Sequence, residues 1–131
     1  MIKSLAHVAL LVDDYDKAIE YYLHTLNFKL LEDTVISDTK RWVLVSPGSS
    51  GGCSILLAKA SDEEQKSRIG NQTGGRVFLF LYSDNLQRDY QTLLDNKVRI
   101  IDPPRTEPYG SVFVFKDTYG NLWDMIEPNP K

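Results

Sequence analysis

An internal repeat of about 70 residues constrains this chain more than any other feature. Sliding the first half along by 70 places Asp14 on Asp84 and His7 on Val77. A repeat at a fixed period marks a duplicated supersecondary unit, and duplication implies two like modules that share one site between them.

The order of elements can be read within each half. Residues 5–12 form a short apolar run ended by Asp13-Asp14, the pattern of a buried strand feeding a helix N-terminus. From Asp14 to about Leu26 the apolar positions Tyr15, Ala18, Ile19, Tyr22, Leu23 and Leu26 recur at spacings of three and four, which predicts one face of an amphipathic helix. His24 lies beside polar Thr25, away from that stripe, and reads as solvated surface. Strands are then expected at Phe28–Leu31 running toward Ile36, at Arg41–Val45 and at Cys53–Ala58, with a hairpin connection in the Ser-Gly cluster at 48–52.

Residues 59–75 turn polar, with Ser61 and Glu64 spaced as a capping box and Gly70, Gly74 and Gly75 breaking the far end. This stretch is the expected linker between module one, about 1–60, and module two, about 76–131. The order then repeats: a strand at Val77–Tyr82, a helix facing inward with Leu86, Tyr90, Leu93 and Leu94, and a left-handed cap at Asn96. Strands follow at Val98–Ile101, Val112–Phe115 and Leu122–Ile126, separated by turns at Asp102-Pro103-Pro104, Pro108-Tyr109-Gly110 and Thr118-Tyr119-Gly120-Asn121. Each half is β-α-β-β-β, so the expected class is α+β, a single domain of two tandem modules whose curved mixed sheets surround a cleft.

Composition narrows the partners. With 131 residues, 42% hydrophobic and 25% charged, the chain can bury a core and still hold a pocket. A net charge of −3 with both signs interspersed leaves no basic surface for nucleic acid or anionic lipid. No apolar run has the length of a transmembrane span or a secretory core, so a cytoplasmic protein is expected. Cys53 is the single cysteine; flanked by Ile55, Leu56 and Leu57, it reads as a buried, inert thiol.

Strand alternation assigns the faces. Val8, Leu10 and Val12 are expected to point one way with Phe78, Phe80 and Tyr82 and to pack the helices. Their alternates are His7, Ala9, Leu11, Leu56, Ala58, Val77, Leu79, Leu81, Leu122, Asp124 and Ile126. These describe an apolar cup with one imidazole and one carboxylate, the composition of a small-molecule pocket. The bland alternative is that His7 and Asp124 form a satisfied couple and side chains fill the cup. Arg41, Trp42, Arg76, Glu107 and Tyr109, at strand ends and loops, make the expected ligand rim. Taken singly, Arg41 and Arg76 also read as solvated, and Trp42 and Trp123 as core or dimer-interface aromatics.

Three stretches carry a family resemblance: H-V-A-L-L-V-D-D before a helix, E-P-Y-G before a strand, and F-K-D-T-Y-G-N-L-W-D-M-I-E-P at the end. Together they resemble the vicinal oxygen chelate superfamily, the glyoxalase, bleomycin-resistance and extradiol dioxygenase type. R-W-V-L-V-S-P, L-L-A-K-A and N-Q-T-G-G-R-V-F-L-F-L further resemble a widespread bacterial branch of it. The resemblance implies one metal-ligand position in strands one and four of each module. Those positions fall on His7, Leu56, Val77 and Asp124.

A catalytic metal needs about three protein ligands and an open position, and Leu56 and Val77 supply none. No metal is therefore expected; a divalent Zn, Ni, Fe or Mn ion, if held, would be held by His7 and Asp124. Glu127 is the obvious substitute ligand, yet alternation turns it away from Asp124. Three functions stay open at this stage. One is a metal-independent binder of a small, largely apolar molecule in the inter-module cleft. Another is a lyase or dioxygenase with a degenerate site, His7 serving as general base. The third is a non-catalytic interaction protein. The expected ligand is aromatic or hydrophobic with one polar group meeting His7 or Asp124, and the resemblance further implies a homodimer.

Overall fold

The computed structural model describes residues 1–48 and 51–130. They fall into two compact units, one from Met1 to Ile69 and one beginning at Gly70. The first holds β1 (His7–Val12), α1 (Tyr15–Glu20), β2 (Lys29–Val35), β3 (Arg41–Ser46), β4 (Ser54–Lys59) and α2 (Glu63–Ser67). The second holds β5 (Val77–Tyr82), α3 (Leu86–Asp95), β6 (Arg99–Glu107), β7 (Gly110–Lys116) and β8 (Leu122–Pro128). Each sheet has the same topology, β1-β4-β3-β2 in one and β5-β8-β7-β6 in the other, with the first and last strands of each unit parallel. Two βαβββ modules in an α+β chain are thus as the repeat predicts. No helix among the described residues is long and apolar enough to cross a membrane.

The helices start where short polar side chains can satisfy free amides. Asp14 accepts from the Lys17 amide at 2.8 Å, and Asn85 accepts from the Arg88 amide at 3.0 Å. Beyond α1 the helix widens into a π turn, Tyr21–Thr25, in which the Leu26 amide reaches back to the Tyr21 carbonyl. Both helical segments then end at a left-handed residue, Asn27 (φ 60°) and Lys97 (φ 62°), at the spacing of the sequence repeat. Asp14 and Asn27 stand one residue further apart than Asn85 and Lys97, and the π turn absorbs that extra residue. The left-handed position expected at Asn96 is therefore Lys97; Asn96 itself keeps φ −84°.

Three other local expectations move. The cap of α2 is Asp62, which accepts from the Gln65 amide at 2.8 Å while Gln65 accepts from Ser61, so the box sits one residue later than Ser61 and Glu64 suggest. The strand expected to stop at Ile101 runs through Asp102-Pro103-Pro104 to Glu107. Proline is tolerated there because β6 is an edge strand and its register shifts between Asp102 and Arg105. Cys53 is half-buried rather than buried. Of the connection expected at 48–52, Ser49 and Ser50 lie outside the described residues.

Candidate functional site

In the first unit the faces follow the simple alternation. Leu10, Val12, Val43, Val45 and Leu57 have no exposed surface and pack on the helix side. Register puts His7 beside Ser54, Ala9 beside Leu56 and Leu11 beside Ala58 on the other, helix-free face. Leu44 pairs with Leu56, so Leu44 and, by alternation, Trp42 share that face. The His7 and Trp42 rings meet edge to face with centroids 5.9 Å apart. His7 itself is exposed.

The β3–β4 register is short, covering only Leu44 with Leu56 and Val45 with Ile55. Beyond it the two strands line a depression of about 610 Å³. Its apolar lining is Trp42, Leu56, Leu57 and Ala58, and Lys40, Lys59 and Gln65 supply polar groups. Its volume lies within the range of small-molecule pockets, and its lining mixes apolar and polar side chains about equally.

Arg41 also lines this depression, but it is not a solvated rim group. Its guanidinium holds Asp33 through two bonds of 3.1 and 2.7 Å, reaches Asp16 at 2.8 Å, and lies 5.2 Å from the Tyr15 ring centre. The hydrogen bonds from Arg41 hold the Asp33 carboxyl below its ordinary range. Arg41 thus ties α1 to β2 and β3.

In the second unit simple alternation fails at one residue. Val77 pairs with Leu122, but the next registered pair is Leu79 with Trp123, leaving Phe78 as an extra residue. From there on Leu79 and Leu81 share the helix side with Trp123 and Met125, while Phe80 pairs with Asp124 and Tyr82 with Ile126. Leu79 and Leu81 therefore leave the face on which the sequence placed them, and Phe80 and Tyr82 enter it. Phe80 and Tyr82 are 63% and 83% exposed. The helix side is confirmed by Tyr90 of α3, whose ring meets Phe113, and by Phe115 stacked on Trp123.

The helix-free face of this unit reads in rows across the strands. Phe80, Asp124, Val114 and Asp102 form one, and Tyr82, Ile126, Val112 and Arg105 the next. Asp124 is 9% exposed, and its Oδ1 is buried with no hydrogen-bond partner among the described residues. Burial pushes its carboxyl up; Arg105 opposes this and Asp102 adds to it. Arg105 donates to Glu107 at 2.7 Å and lies 3.6 Å from Asp102. Tyr109 is 51% exposed, and Arg76 is exposed just before β5.

Two acidic residues that the sequence left without a role are structural. Asp117, 4% exposed, accepts at Oδ1 from the amides of Tyr119, Gly120 and Asn121, each at 3.0 Å. Its Oδ2 accepts from Asn121 Nδ2 at 2.9 Å and from the Trp123 indole at 3.0 Å. The terminal D-T-Y-G-N-L-W motif is therefore a carboxylate-centred turn that seats Trp123 in the core. The signal was an Asx turn followed by Gly and Asn. Glu127 accepts from the Leu86 amide at 2.7 Å, anchoring the start of α3. That contact, across 41 residues of sequence, has no local signal.

The donors do not fit a metal of the kind the resemblance implies. Leu56 and Val77 stand in apolar register, and Glu127 is taken by α3. Among the described residues no three of His, Cys, Asp and Glu are grouped so as to hold an ion.

Comparison with known proteins places this architecture. A protein from Shewanella frigidimarina is 51% identical over 132 residues, covering 100% of this chain and 98% of the relative. UcmS2 matches 97% of this chain and 99% of its own with 27% identity and a TM-score of 0.84. TnmS3, an antibiotic-binding protein from Streptomyces sp. CB03234, matches 98% of each chain with 25% identity and a TM-score of 0.78. Residues 4–125 match the family model, and the chain belongs to the Glyoxalase/Bleomycin resistance protein/Dioxygenase superfamily.

Proposed function

We propose that this protein binds a small, largely apolar molecule and does so without a bound metal. The observation that carries this reading is the depression of about 610 Å³ where β3 and β4 part, with Trp42 and Leu56 in its lining. Apolar side chains supply non-directional affinity, at about 25 cal/mol per Å² of surface removed from water. The edge-on His7–Trp42 contact limits how Trp42 can turn and offers an imidazole as an orienting group. The likeness to an antibiotic-binding protein supports small-molecule binding.

The metal-free part rests on the side chains. Leu56, at a position where the superfamily's metalloenzymes carry a ligand, belongs instead to an apolar row with Ala9 and Leu44. His7 and Asp124 alone do not make the three-ligand set of a catalytic ion.

The test uses tryptophan fluorescence. Trp123 is 1% exposed and reports the core, whereas half-buried Trp42 reports the depression. Aromatic and apolar compounds that raise the melting temperature should also change the emission of the wild-type chain. That change should vanish in Trp42→Phe and weaken in Leu56→Glu. A panel without a single stabilising compound would overturn the binding reading. One equivalent of Zn, Ni, Fe or Mn per chain by elemental analysis, lost in His7→Ala, would overturn the metal-free one.

A further inference from the structure

We propose that the helix-free face of the second unit recognises a protonated nitrogen carried on an aromatic body, with Asp124 as acceptor and Phe80 and Tyr82 as flanking rings. The inference goes beyond the ligand-binding reading above: it concerns a different face, in the other unit, and the charge of what binds there.

Its first support is a group that the fold leaves incomplete. Asp124 is nine-tenths buried, and Oδ1 meets no donor from the described residues. Buried polar atoms without partners are rare and unfavourable, because desolvation is not repaid by a bond. The arginine whose charge acts on Asp124 is already engaged, since Arg105 bonds Glu107 and lies against Asp102. A donor from outside the chain would complete the site.

The neighbouring side chains select the kind of donor. Phe80 is directly beside Asp124 in the β5–β8 register, and Tyr82 is one step along the same face. Large aromatics exposed at 63% and 83% on an edge strand offer ring faces that stack planar groups and attract cations. Asp102 adds a second carboxyl in the same row, beyond Val114. Arg99 and Lys116 occupy the row beside Leu122, but the charges that act on Asp124 are those of Arg105 and Asp102. An anion would meet Asp124 and Asp102 together; a nitrogen cation is attracted by both carboxyls and by the rings.

The experiment compares three probes of one shape, 2-naphthylmethylammonium, 2-naphthylmethanol and 2-naphthoate, titrated into the full chain and followed by amide NMR shifts. The ammonium should bind at least tenfold more tightly than the naphthoate, with the largest shifts around Phe80, Tyr82 and Asp124. Asp124→Asn, which keeps the side-chain volume, should remove that preference. Tyr82→Lys places a cation on an exposed position and should remove it too, without any change to the core. Equal binding of ammonium and naphthoate, or a preference that survives both variants, would overturn the inference while leaving the proposed function standing if Trp42 still reports binding. Absence of shifts in the second unit with all three probes would also overturn it, and only absence of binding at Trp42 as well would bring down the broader reading.

Discussion

Removing the Asp117 carboxylate should damage this fold more than any change at the candidate ligand residues. Asp117→Ala removes the carboxylate acceptor shared by three turn amides, the Asn121 amide group and the Trp123 indole, of which the Gly120 amide keeps a second acceptor, the Asp117 carbonyl at 3.1 Å. Asn121 and Trp123 are 3% and 1% exposed, so water cannot readily replace the lost partner at those two. A buried donor left unsatisfied costs about 1–3 kcal/mol, and the more accessible turn amides less. The sum is about 4–6 kcal/mol, a large share of the ~5–15 kcal/mol that holds a domain together. Asp117→Asn should be milder, roughly 2–3 kcal/mol, because one amide oxygen can still serve the turn while the new NH₂ faces two other donors. Thermal and urea unfolding followed by circular dichroism would give the order wild type, Asn, Ala. At about 3–5 °C per kcal/mol for a chain of this size, the alanine variant should melt roughly 12–30 °C lower. A loss below about 1 kcal/mol for Asp117→Ala would refute the carboxylate-centred turn as the element that seats Trp123.

Asp124 should show the opposite sign. A carboxyl held above its ordinary range binds its proton more tightly folded than unfolded, so stability falls as pH rises from the ordinary aspartate value through the raised one. Asp124→Asn should remove that slope and add on the order of 1 kcal/mol at neutral pH, measured as melting temperature against pH. Asp33, held low by Arg41, contributes stability that is present above the ordinary aspartate value and lost as pH falls through the lowered one. Arg41→Met should abolish that acid dependence at a cost of about 1 kcal/mol, since the pair is partly exposed. Gly70→Ala should cost about 2–4 kcal/mol by urea unfolding, because φ is +75° and a Cβ there would collide with the Tyr119 carbonyl oxygen.

Much of the candidate site was legible where local pattern governs. Leu56 and Val77 carry no metal-binding atom, whatever surrounds them. His7, Ala9, Leu11 and Leu56 were assigned to one face by alternation, and the first unit keeps that face because β1 and β4 pair through six residues without a break. The rim was less legible. Arg41 reads as a free cation in sequence, yet its partners Asp16 and Asp33 are 25 and 8 residues away, and nothing in the intervening residues signals that meeting.

What the sequence by itself determined, then, is the repeat, the βαβββ order and the helix start at Asp14, because each is written in the local pattern of residue types. The tertiary structure alone decided which aromatics stand beside Asp124. A single extra residue at Phe78 reverses the inside and outside of everything after it in β5, and a two-residue alternation carries no mark of where such a bulge falls. It also decided that Glu127 serves α3 and Asp117 serves Trp123, since a carboxylate's partner is chosen by which donors the fold brings within about 3 Å.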